Sequence, residues 1–322
     1  MIPSLMRAAL TTVWLLAAAG AWAAYPDKPI RIIVPYAPGG NIDVNARIVA
    51  PGLTERLGQP VVVENRGGAG SRIGTEMAAK AAPDGYTLLL GSSGSLTINP
   101  VFSPHATIDP LRDFAYTSLI SNVPMLLSVH PSVPARSVKE FVALVKARPA
   151  RLTMASAGVG SNTHFTGELF QLATSTRFVH VPYKGTGPAL IDLMGGQVDL
   201  IFDQISTSAP LIKSGKLRPL GVTTLQRSFL LPEVPTIDES GVRGFEASSY
   251  TGIMLPSATP KDIVMKIYEA LIHWLDQPAA RESFARLGAD VIKSTPEESA
   301  RRIKDDLAKW TKVRKATNIS LE

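Results

Sequence analysis

One local pattern governs what this chain can fold into. The β-branched run Ile30–Val34 is followed by Pro35-Tyr36-Ala37-Pro38-Gly39-Gly40, and a helical pattern starts at Asn41 and runs to Leu57. A short apolar run bounded by turn residues reads as a buried strand. Two glycines at the joint leave backbone N–H groups open, and the helix start behind them adds unsatisfied donors and a positive dipole end. Such a joint can receive an anion without any arginine, although the spacing alone is equally served by a plain tight turn. The arrangement recurs as Pro60–Glu64, Asn65–Gly70 and a helix over Ser71–Ala82, then as Tyr86–Leu90 with Gly91–Ser95. Strand, small-residue loop and helix in repetition predict βαβ units in a mostly parallel sheet. Ligands of such sheets sit beyond the carboxyl ends of the strands, where these loops lie.

The pattern starts again after Pro124. Strands are expected at Pro124–His130, Leu152–Ser156, Arg177–His180, Val198–Phe202 and Arg218–Thr223. Ala157–Ser161 forms a fourth small-residue loop, ahead of a helix over Asn162–Ala173, and the Val198–Phe202 strand ends at Asp203-Gln204. Ser137–Glu140 and Thr295–Glu298 carry capping-box spacing, and Thr259-Pro260 reads as N-cap and first-turn proline. Two α/β lobes are the economical reading: 24–124, then 125–249, with 250–322 returning to the first. Two chain crossings, near Pro124 and near Tyr250, would leave a cleft suited to hinge closure.

The 322 residues suffice for two lobes, and 45% apolar with 19% charged residues mark a soluble globular protein. At the N-terminus Arg7 precedes the apolar stretch Ala8–Ala19, and Ala21-Trp22-Ala23 fits an A-x-A cleavage site. Residues 1–23 therefore read as a secretory signal cleaved after Ala23; cleavage after Ala24 would put bulky Trp22 at the −3 position. With no cysteine there is no disulfide, no thiolate metal site and no lipobox anchor. A freely soluble periplasmic protein follows. The net charge of +6 is spread along the chain, with a basic cluster only at Arg301-Arg302 and Lys312–Lys315 on an amphipathic helix. Nucleic acid is not an expected partner.

Other chemistries fit less well. Gly68, Gly70 and Gly74 miss dinucleotide-fingerprint spacing, and Ile73 stands where the last glycine belongs. Gly91–Ser95 lacks nucleophile-elbow spacing. Ser161 or Ser93 could serve a hydrolase with His164 and Asp203, but serines at helix starts are usually caps. His164 and Glu168, four apart, could share a metal, yet one pair is a weak site. Asp43, in a first helical turn, is favoured there by the dipole whatever its further role. No cofactor and no metal are expected.

The segments YPDKPIRIIVPYAPGGNIDVNAR, LGQPVVVENRGGAGSRIGTEMAAKAAPDGYTLLLGSS, GVGSNTHFTGELF, VPYKGTGPALIDLMGGQVDLIFD, GKLRPLGVTT and LPEVPTIDESG closely resemble the Bug family, receptors of tripartite tricarboxylate transporters. The resemblance spans the mature chain in the family's order. It implies a two-lobed, type II periplasmic binding protein of Venus-flytrap form, each lobe a mixed, mostly parallel sheet flanked by helices, without catalysis. Small carboxylates or related metabolites would be held largely by loop backbone and water. The implied partners are that ligand and membrane transporter subunits, or a sensor in their place, and the protein would be a monomer. The implied site residues are Ala37, Pro38, Gly39, Gly40 and Asp43, then Ser92 and Ser93, then Gly160, Ser161, His164 and Asp203. Asn41 stands where the family commonly has a smaller residue. Tyr250 stands where it usually has Trp, with consequences for the cleft wall.

Overall fold

The computed structural model describes residues 25–317, so the signal segment lies outside the described residues. The chain begins with β1 (Ile30–Val34), α1 (Asn41–Leu57), β2 (Val61–Asn65), α2 (Arg72–Ala79) and β3 (Thr87–Ser92). A π-type turn over Gly94–Ile98 leads into α3 (Asn99–Phe102) and α4 (Pro110–Asp113), ahead of β4 (Phe114–Val129). Then come α5 (Val138–Ala147), β5 (Thr153–Ser156), α6 (Asn162–Thr174), β6 (Val179–Pro182) and α7 (Thr186–Met194). They are followed by β7 (Leu200–Gln204), α8 (Ile205–Lys213) and β8 (Arg218–Val222). The chain closes with β9 (Ser248–Pro256), α9 (Lys261–Asp276), α10 (Pro278–Arg286), β10 (Asp290–Val291) and α11 (Pro296–Thr317).

The apolar run of β1 forms a central strand because its side chains have nowhere else to go. Ile30, Ile32, Ile33 and Val34 are fully buried, each stabilising the fold by about 1.5–3 kcal/mol. Parallel partners flank it, with Ile32 between Val63 of β2 and Leu88 of β3. In the second lobe β5 lies parallel between β6 and β7. The antiparallel pairs arise where the chain passes between lobes. β9 lies between β3 and β4, antiparallel to both, while β10 also pairs β4.

β4 is longer than expected and belongs to both sheets. Up to Pro124 it pairs with β9, and from Met125 it pairs with β7 and β8. The strand expected at Pro124–His130 is thus the second half of a single 16-residue strand.

The capping expectations resolve differently at each helix. Thr295 and Glu298 bond reciprocally, each backbone N–H donating to the other's side chain. Ser137 accepts from Glu140 N, but the Glu140 carboxylate reaches Arg136 N instead of completing the box. Thr259 is not the N-cap of α9: that position is Pro260, and the Thr259 hydroxyl donates back to Pro256 O.

Candidate functional site

The loop after β1 is braced from its own lobe. The Asp43 carboxylate accepts from Gly39 N at 3.0 Å and from Asn65 Nδ2 at 3.0 Å. Arg47 grips the same carboxylate with two nitrogens, each at 3.0 Å. Burial pushes this carboxyl up, but those donors outweigh it and hold the group below the usual carboxylate range. Gly39 takes φ +86°, which glycine adopts without strain. Ala37 N then donates across the seam to Lys184 O at 2.8 Å.

The loop after β3 is held by its own hydroxyls. Ser92 N donates to Ser95 Oγ at 2.9 Å, and the Tyr36 hydroxyl lies 3.4 Å from Ser92 Oγ. In the second lobe, Ser161 caps α6 by accepting from His164 N. Its hydroxyl donates to Gly158 O at 2.6 Å and lies 2.9 Å from Thr163 Oγ1.

These loops meet around a cavity of about 20 Å³ between the lobes. Gly40, Ser92 and Ser161 line it. The other expected residues sit around it. Ala37, Pro38 and Gly39 lie at the seam against Lys184 and Gly187. Gly160 packs against Asn99. Ser93 faces a neighbouring recess of about 120 Å³. Asp43 is taken up by the brace just described. His164 stacks on His180, with its Nε2 3.5 Å from Glu168. Asp203 is fully buried and accepts from Thr207 and Ser208. Burial pushes its carboxyl up to about 6, against the pull of these hydroxyls.

Among the lining residues, Asn162, Thr186 and Ser249 escaped the sequence reading of the site, while Tyr36 and Gln204 belong to the expected strand-end loops and Asn41 is the residue singled out after the double glycine. Thr186 had a readable signal, since Gly185 and Gly187 flank it at the joint between β6 and α7. Tyr250 does not line the cavity. Its ring lies under the Arg302 guanidinium in the neighbouring recess, 5.2 Å away.

Among the described residues no Arg or Lys lines the cavity, yet helix starts converge on it. Asn41, Asn162 and Thr186 are the first residues of α1, α6 and α7, and Gln204 is the N-cap of α8. Each helix start turns the positive end of its dipole inward. Among the described residues no group of three or more His, Cys, Asp or Glu could hold a metal. None of the described helices is long and apolar enough to cross a membrane.

Fold and site together define a two-lobed solute-binding protein of the periplasmic class. Residues 45–319 match the tripartite tricarboxylate transporter family receptor. Protein BugT of Bordetella pertussis is 39% identical over 299 residues, 92% of each chain. The structure of R. palustris Rpa4515 with adipate is 34% identical with a TM-score of 0.88, covering 92% of this chain and 99% of that one. MatC from Rhodopseudomonas palustris with bound malate is 33% identical with a TM-score of 0.87, covering 90% and 99%. This chain belongs to the Bug family, the receptors of tripartite tricarboxylate transporters.

Proposed function

We propose that this protein captures a small organic carboxylate between its lobes and presents it to membrane transporter subunits. The observation that carries this reading is the convergence of the α1, α6, α7 and α8 starts on a cavity without cationic side chains. Backbone N–H groups, hydroxyls and helix dipoles suit an anion there. Adipate and malate in the two related structures support the same ligand class. The cavity's 20 Å³ has room for roughly one water, so a dicarboxylate enters by parting the lobes. We take 24–124 with 250–322 as one lobe and 125–249 as the other. Residues 1–23 act as the cleaved export signal, and the mature protein works as a periplasmic monomer.

Ala37, Pro38, Gly39 and Gly40 supply main-chain groups on one side, with Ser92, Ser93, Gly160 and Ser161 on the others. Asp43, His164 and Asp203 act from behind, by holding the loops. A hydrolytic use of Ser161 is disfavoured because its hydroxyl is committed to Gly158 O and to the cap. Calorimetric titration with malate, adipate, neutral sugars and small amines is the direct test. Binding of the carboxylates alone is expected, and binding confined to sugars or amines would overturn the reading.

A further inference from the structure

Asn41 is the first residue of α1 and is only 1% exposed, yet its amide is half used. Its Oδ1 accepts from Ser206 Oγ, on α8 across the seam, at 2.7 Å. Its Nδ2 is buried with no hydrogen-bond partner among the described residues, and the residue lines the inter-lobe cavity. A buried amide N–H left without an acceptor forfeits its hydration with nothing in return. Such a group is retained where something else supplies the acceptor. With the oxygen turned to the opposite lobe, the nitrogen is the end that remains for the cavity.

We propose that Asn41 reads the ligand and couples it to closure: Nδ2 donates to a carboxylate oxygen of the ligand while Oδ1 holds Ser206 of the other lobe. This rests on the carboxylate reading given above. The Ser206 bond exists only when the lobes are together, so one side chain registers both ligand and closure. It is the side-chain complement to a site otherwise made of main chain and hydroxyls. A small residue at this position could not span both partners.

Calorimetry with malate, succinate and adipate on wild type and three variants tests this. A donor to a charged oxygen contributes about 1.5–3 kcal/mol, so Asn41→Ala should weaken binding roughly 10- to 150-fold. Asn41→Asp keeps the acceptor for Ser206 but replaces the donor with a negative oxygen, and should abolish binding. Ser206→Ala removes the inter-lobe bond alone and should weaken binding less than Asn41→Ala, with the ligand ranking unchanged. Circular dichroism checks each fold, and Asn41→Ser replaces any variant that does not fold, with a loss like that of Asn41→Ala expected. If Asn41→Asp binds as wild type, or if Ser206→Ala matches Asn41→Ala, the ligand-reading role is overturned while the carboxylate reading stands. If wild type binds none of the three acids, both fall together.

Discussion

The imidazole rings of His164 and His180 lie face to face, 3.6 Å between centroids and 6° from parallel. His180 Nε2 is also 2.6 Å from Ser156 Oγ. Burial, and then the neighbouring His164 ring, pull the His180 pKa from its ordinary 6.5 down to about 3. The unfolded chain therefore takes up a proton before the folded one does. The stability this ring contributes is complete above pH 6.5 and is lost as pH falls from there toward 3. The urea midpoint should fall on acidification through that range, and His180→Gln should flatten the fall. Parallel profiles for the two proteins would refute a neutral, buried His180 ring.

Asp203 works in the opposite direction. Its folded pKa is raised to about 6 from an ordinary 3.8, chiefly by burial. The folded protein thus binds the proton first, and this residue's contribution is fullest below pH 3.8 and is lost as pH rises through 6. Asp203→Asn removes the cost of a buried charge. Its stability relative to wild type should therefore rise between pH 4 and pH 7, which denaturant titrations at the two ends would read. A constant difference would mean the carboxyl does not change charge in this window.

Gly70 and Gly58 separate backbone strain from closure. Both take positive φ, +60° and +70°, so alanine costs each about 1–2 kcal/mol. A Cβ on Gly58 meets nothing within 4 Å, whereas on Gly70 it would fall 1.6 Å from Val159 O across the seam. Melting temperatures of the two alanine variants should be similar. Malate or adipate affinity should fall only in Gly70→Ala, by roughly tenfold or more, because the closed form becomes a minor population. Equal affinities in the two variants would place the seam contact outside the binding cycle.

Enlarging Gly40 should weaken carboxylate binding far more than trimming Ser92. A Cβ at Gly40 would sit 2.5 Å from Thr186 Oγ1, while Ser92→Ala removes one hydroxyl already shared with Ser95 and Tyr36. Gly40→Val is expected to lose most of its affinity with its circular dichroism intact. With no cationic side chain lining the cavity among the described residues, raising salt should cause only moderate weakening. A Gly40→Val protein that bound like wild type would remove the close approach from the argument.

Much of this architecture was legible in the residues. Ile30–Val34 and Asn41–Leu57 fall where apolar run and helical period place them, because each pattern matches the burial it receives. The first half of β4 was not legible. Thr117, Ser118 and Ser121 make Phe114–Asn122 look half polar, but all three are buried. Thr117 donates to Ile253 O, and Ser121 pairs with Thr251. Their partners lie on β9, some 130 residues away, so no local window reveals the satisfaction. The site divides in the same way. Gly40, Ser92 and Ser161 belong to strand-end loops visible in one dimension. Asn41, Thr186 and Ser249 become neighbours only when both lobes and β9 are in place.

The placement of β9 also dictates an order of assembly. Ser248–Pro256 is an inner strand of the sheet that begins at Ile30, inserted between β3 and the first half of β4. The strands β5 to β8 and the second half of β4 all come from a continuous stretch, residues 125–222. A chain that emerges amino end first can complete that later stretch while β3 and β4 still offer open edges. Until residue 256 emerges, those edges need guarding from other chains. The lobe that starts first finishes last.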